Sequence, residues 1–229
     1  MAEKKQKEVD ADSKEIKEEA KATFDDVKDT IKNVKFQNDA KETTGFVSKI
    51  FKNPLGILKE TSEDKKNKNL KHALLLICLW ILATLITGIY YAIHNKYLPA
   101  GTRFIGVIRN LLGPIIGLVA MSLIVYFNQK DSKKDLTATF TTITVASIPT
   151  ILISVVGILR IFSSSFNYVL TPLEYYASSI TLIFEYFAAK DLIGEDENSK
   201  FITKFIGIQF IYFVCYFVFQ FLEMYLPLL

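Results

Sequence analysis

Histidine, cysteine and tryptophan are nearly absent from this chain, at two, two and one in 229 residues. The scarcity removes whole classes of chemistry. His72 and His94 stand at opposite ends of one apolar run, so they cannot share a metal. No HExxH or CxxC pattern supplies another ligand set. There is no GxSxG elbow, no GxxxxGK[ST] phosphate loop and no pair of aspartates inside an apolar run. The chain therefore reads as a protein that is not an enzyme and needs no metal or other cofactor. The first twenty residues contain no apolar h-region, so no cleaved signal peptide is expected and the first apolar run acts as a signal anchor. Cys78 and Cys215 fall within apolar runs and read as buried, reduced packing residues.

Charge is abundant but unevenly placed. Residues 1–71 hold 17 of the 27 basic and 15 of the 24 acidic side chains. Their near balance argues against a nucleic-acid arm, and no nucleic acid is expected among the partners. The rest is dominated by long apolar runs. A helix crosses the hydrocarbon layer with about 20 apolar residues, each rising about 1.5 Å. Five stretches qualify, at about 73–93, 105–127, 140–162, 168–189 and 205–226. The expected fold is all-α: a polytopic bundle of five transmembrane helices over residues 72–229. A charged cytoplasmic tail (1–43) and an interfacial apolar-basic segment with a hinge (44–71) precede it. Lys130, Lys133, Lys134, Lys190, Lys200 and Lys204 fall on the tail side of the bundle, against Lys96, Arg103 and Arg160 on the other. Basic loops stay inside, so the N-terminus is expected in the cytoplasm and the C-terminus outside a cell membrane, with a bacterial cytoplasmic membrane preferred.

Two tail segments have a pattern of their own. Ile16, Ala20, Phe24, Val27, Ile31 and Val34 recur at spacings of three and four, which predicts a helix over 12–34 with Asp12 and Glu15 at its start. It is either a partner-binding or self-associating helix, or a solvated one that mainly carries charge. The segment 44–59 interleaves Phe46, Ile50 and Phe51 with Lys49 and Lys52, and Asn53-Pro54 breaks it. It fits a helix lying on the membrane surface among lipid headgroups, or one packed on the inner ends of the spans.

Polar groups inside a membrane are costly and therefore informative. Glu174, Ser178, Thr181 and Glu185 form one stripe along the fourth span. Gln209, Tyr212, Tyr216, Gln220 and Glu223 form another along the fifth. Thr137, Thr141, Thr144, Ser147, Thr150 and Ser154 fill the third, and Arg109 enters the second. Arg109, Glu174 and Glu223 agree in depth, which predicts that Arg109 pairs with one of the two carboxylates. These residues form either a polar groove for a lipid headgroup or solute, or the hydrogen-bonding glue that holds membrane helices together. Gly113 and Gly117 make a GxxxG pattern suited to helix packing, including a homo-oligomer. Pro114, Pro149 and Pro172 are expected to kink three spans.

The layout resembles the Yip family, five-span membrane proteins named for their interaction with Ypt/Rab GTPases. The resemblance rests on the charged N-terminal region, the segment FVSKIFKNPLGILK at 46–59 with its Asn-Pro, five closely spaced spans and a very short C-terminal tail. It covers about residues 45–229 and is closest to the bacterial branch. The family's Asp-Leu-Tyr-Gly-Pro type of tail motif is represented only by Asn53-Pro54-Leu55-Gly56, so no residue-level site carries over. The resemblance implies a non-enzymatic scaffold that organises membrane partners or membrane shape, recruiting a protein through its tail. The alternative is a small lipid or solute transporter working through the polar seam.

Overall fold

A computed structural model describes the backbone of residues 2–64, 67–129, 135–194 and 197–225; side chains are described from residue 17 onward, except 36, 37, 216 and 219–225. Among the described residues every regular element is helical. The chain forms α1 (Ala2–Asn33), α2 (Phe36–Lys52), α3 (Pro54–Ser62), α4 (Leu70–His94), α5 (Ala100–Phe127), α6 (Leu136–Ala146), α7 (Ile148–Val156), α8 (Asn167–Ile193) and α9 (Asn198–Tyr225), with 3₁₀ turns at Gly157–Ile161 and Ser164–Phe166 between α7 and α8.

Local chemistry sets the breaks. Pro54 has no N–H to continue α2, and it suits the first turn of α3 instead. The Asn53 side chain caps α3 by accepting from the Gly56 N–H at 3.1 Å. A Cβ at position 56 would stand 2.3 Å from the Asn53 side-chain nitrogen, so this cap needs glycine there. Asp135 caps α6 by accepting from Ala138 N–H at 2.9 Å. Gly194 ends α8 in the left-handed conformation, φ 66°, with its N–H on the Lys190 carbonyl.

α4 and α5 are each long and apolar enough to cross a membrane. The pair α6 and α7, bent by 49°, makes a third such segment if it is one span. The bend falls at Ser147 and Pro149, where a kink was expected. Pro114 and Pro172, by contrast, lie inside helices that continue through them.

α6 is the central element, buried from Thr137 to Pro149 apart from the half-buried Phe140. Its neighbours include α3, α4, α5 and α8. Its many hydroxyls do not need those neighbours. Thr141, Thr142, Thr144 and Ser147 each donate to the carbonyl four residues back, at 2.7–3.0 Å. Such back-bonding satisfies a buried hydroxyl within its own helix.

The apolar core sits at the tail end of the bundle. Ile50 and Leu58 from α2 and α3 meet Ala188 and Ile193 at the end of α8 and Phe201 at the start of α9, all fully buried. Lys204 on α9 donates to the Asn128 carbonyl after α5 at 3.0 Å. At the opposite end, Arg103 donates to the Ala92 carbonyl at 3.1 Å and ties α5 to α4. Outward faces are apolar. Leu82 and Ile93 of α4, Phe104 of α5, Ile183 of α8 and Ile206 and Phe213 of α9 are all exposed.

Two expectations are corrected here. Cys78 and Cys215 are exposed, not buried; a thiol is apolar enough to sit on an outward apolar face. Phe46 and Ile50 are not a membrane-facing surface. They turn into the bundle, where Phe46 stacks on the His72 ring at 4.7 Å. Phe51 stays half exposed and Lys49 and Lys52 point outward. The tail helix α1 is also anchored by polar groups rather than by its apolar stripe. Asn67 donates to Asp26 at 2.9 Å, and Thr137 donates to Thr23 at 3.1 Å, while Phe24 and Ile31 stay exposed.

Candidate functional site: a polar cavity in the bundle

Directly above the core, α4, α5, α7, α8 and α9 surround a cavity of about 670 Å³. Its floor is Leu118, Met121, Ile143 and Ser147, all buried. Its rim includes Arg109, Asn110 and Ser178, all exposed. The cavity is therefore closed at the tail end and open toward the far end. Its volume falls in the range of small-molecule sites, about 300–1,000 Å³.

The stripe on α8 faces this space. Glu174, Ser178, Thr181 and Glu185 all line it, as does Arg109 from α5. Glu174 and Glu185 are eleven residues apart, about 16 Å along the helix axis, so they mark the outer and inner ends of the cavity. Gln209 stands behind the inner end and donates to Glu185 Oε2 at 3.2 Å. The side chains of Gln220 and Glu223 lie outside the described residues.

Arg109 was expected to pair with Glu174 or Glu223, and the Glu223 side chain lies outside the described residues. Glu174 is held by Arg160, in a two-pronged pair with Nη1–Oε1 at 2.6 Å and Nη2–Oε2 at 2.7 Å. Planar guanidinium and carboxylate groups match in this way, and such pairs are among the stronger charge-assisted bonds. The sequence reading missed Arg160 because it extended α-helical periodicity through residue 162. The chain tightens into a 3₁₀ turn at Gly157–Ile161, and this turn carries Arg160 into the cavity.

Gly113 and Gly117 are buried and both line the cavity. A Cβ at Gly113 would meet nothing within 4 Å, whereas one at Gly117 would stand 2.9 Å from the Tyr212 hydroxyl oxygen of α9. The pattern thus serves the cavity and a side-chain contact from α9. The close helix–helix approach lies at Gly88 instead, where a Cβ would be 3.6 Å from the Val107 Cα.

The fourth wall went unnoticed in the sequence. Trp80, Thr84, Thr87 and Tyr91 of α4 line the cavity at spacings of four, three and four. That periodicity was legible, but the stripe has no charge to draw attention to it. Trp80 Nε1 donates to Ser154 Oγ at 3.1 Å, and Thr150 and Thr181 share a hydroxyl–hydroxyl bond of 2.8 Å. These two bonds tie α7 to its neighbours α4 and α8.

No group of three or more His, Cys, Asp or Glu side chains suited to a metal ion occurs among the described residues. The arrangement offers charge, hydroxyls and aromatic faces around open space, which is the chemistry of binding. Comparison with protein-family models, with curated proteins and with solved structures finds no match to this chain.

Proposed function

We propose that this chain is a five-span membrane protein that binds a small polar or amphipathic molecule in its central cavity, as a carrier of a lipid or solute. The N-terminal tail lies in the cytoplasm, the cavity opens toward the outer side, and no chemical step is catalysed. One observation carries the reading: α8 and its neighbours set a polar stripe around about 670 Å³ of open space instead of closing it in helix contacts. Glue between helices needs the polar groups but not the space. The exposed apolar faces of α8 and α9 support five spans, because a surface of this kind in water would be an aggregation hazard.

Mass spectrometry of the protein taken directly into native nanodiscs tests the proposal. A bound small molecule or lipid is expected on the parent chain and is expected to be lost on Gly113→Leu, since a side chain there projects into open cavity. A parent chain that carries no such species, or a Gly113→Leu variant that keeps it, counts against a binding cavity.

A second reading, the scaffold implied by the Yip-like layout, is favoured by one feature. Phe24 is 67% and Ile31 60% exposed on α1, on a face that the bundle leaves uncovered. Deleting residues 1–33 then removes a stoichiometric protein partner while the spans still insert. A partner that persists without α1 sinks this reading.

A further inference from the structure

The cavity treats its two carboxylates differently. Glu174, at the outer end, has a guanidinium of its own in Arg160. Glu185, at the inner end, has one neutral amide, Gln209, on one oxygen. Among the described residues no cation is paired with it. A carboxylate withdrawn from water and left without a counter-charge is costly, and membrane proteins rarely keep one except at a working site.

The surroundings of Glu185 specify what would complete it. Ser147, Thr150 and Thr181 line the same space and offer hydroxyl oxygens with free lone pairs. Trp80, Tyr91 and Tyr212 supply aromatic walls, whose faces attract positive charge. An ammonium group has three donors and one positive charge, which matches a carboxylate flanked by hydroxyls. The space is many times larger than a bare inorganic ion needs, so the cation carries an organic body. At the outer end Glu174 is already neutralised by Arg160, which leaves Glu185 as the carboxylate to receive the cationic group.

From this we propose that the cavity takes a small organic ammonium compound, with its charged nitrogen against the Glu185 carboxylate and its body along Trp80 and Tyr212. The inference rests on the cavity being a binding site and adds the class of ligand.

Trp80 is the single tryptophan of the chain and lines the cavity, so its fluorescence reports occupancy. The full chain in lipid nanodiscs is titrated with cyclohexylmethylammonium and, separately, with the neutral isostere cyclohexylmethanol; empty nanodiscs correct for partitioning. Saturable quenching or shift is expected with the ammonium at a concentration at least about tenfold below any response to the alcohol. Glu185→Gln is expected to remove that preference, and Glu185→Asp to keep it. Equal response to both probes overturns the cation assignment but leaves a binding cavity standing. A preference that survives in Glu185→Gln overturns the role of Glu185. No response to either probe overturns the ammonium class, while native mass spectrometry of the Gly113→Leu pair still judges the cavity itself. If Glu185→Gln yields no folded protein, the parent's ammonium-to-alcohol ratio decides, and a ratio near one refutes the proposal.

Discussion

Thr43 Oγ1 and His72 Nδ1 stand 2.8 Å apart, joined across 29 residues of sequence. The bond links the charged tail to the first turn of the first long apolar helix. Around it, Lys71 pairs with Asp39 at 3.2 Å and with Glu42, and Phe46 lies flat on the His72 ring. Tail and bundle are one folded unit at this junction.

Truncating the aromatic member should loosen that unit. Phe46→Ala is expected to lower stability by about 3 kcal/mol, the cost of removing a buried phenyl ring. Phe51→Ala, whose ring is half exposed, should cost less than about 1 kcal/mol. Thermal unfolding in detergent, followed by loss of monodisperse protein, separates the two. Equal effects would mean that α2 rests on the membrane and not on the bundle.

The Arg160–Glu174 pair makes a prediction that Arg109 does not share. Arg160→Leu and Glu174→Leu should each destabilise, and the double variant should recover part of the loss. The coupling is expected at about 1 kcal/mol or more in a double-mutant cycle. The same cycle built with Arg109 and Glu174 should give less. A larger coupling for Arg109 would transfer the pair to the other arginine.

The two glycines of α5 should part company. Gly113→Ala adds a methyl group into open cavity and gains helix propensity, so its stability should match or exceed the parent by up to about 1 kcal/mol. Gly117→Ala presses on the Tyr212 hydroxyl and should be destabilising. Tyr212→Phe removes the crowded oxygen and should relieve the Gly117→Ala defect. Thermal midpoints of the four proteins check this, and equal tolerance at 113 and 117 would contradict it.

Much of this arrangement was legible in the residues themselves. The stripe Glu174, Ser178, Thr181, Glu185 was a matter of helical phase, and α8 is straightforward enough for phase to be read from spacing. Phase fails where the helix fails, and Arg160 sits on a 3₁₀ turn whose rotation per residue differs. The fate of Phe46 and Ile50 was not readable either. An apolar face on a basic helix looks the same whether its partner is lipid or protein. Only the tertiary partners, His72 of α4 and the neighbouring α3, decide between them. The cysteines show the converse: in an apolar run the sequence marks a side chain as shielded from water but not as buried in protein.

Acid should weaken the tail junction. The Asp39 carboxyl lies below its ordinary value of 3.8, chiefly because the Lys35 backbone N–H donates to it at 2.7 Å, with Lys71 adding to the effect. Its pKa is depressed in the folded chain, so the unfolded chain takes up the proton first. The stabilisation is complete above the ordinary value and is lost as the pH falls through the lower folded value. Asp39→Asn should therefore melt below the parent at pH 7, and the gap should close progressively as the pH falls below 3.8. A gap that stays constant down to the lowest pH at which the parent still folds would exclude titration of this group as the cause.

Sidedness can be read chemically. With Cys78 and Cys215 replaced by serine, cysteines introduced as Glu63→Cys and Tyr97→Cys occupy exposed sites at the two ends of α4. In right-side-out vesicles an impermeant maleimide should label position 97 and spare position 63 until the membrane is permeabilised. Labelling of position 63 alone would invert the proposed orientation.

The bend at Ser147 divides one long segment into parts of different mechanical character. Between Thr141 and Ser147 the hydroxyls all return to their own backbone, so this stretch is gripped by shape alone, like a shaft in a bearing. Beyond the bend, two bolts hold α7: Thr150 to Thr181 and Ser154 to Trp80. Both bolts sit on the wall of the cavity. Swinging that wall outward would break both hydrogen bonds, about 1–3 kcal/mol together, and would also uncover Ile151, which is fully buried on α7; an occupant able to compete for the same hydroxyls lowers only the first part of that cost.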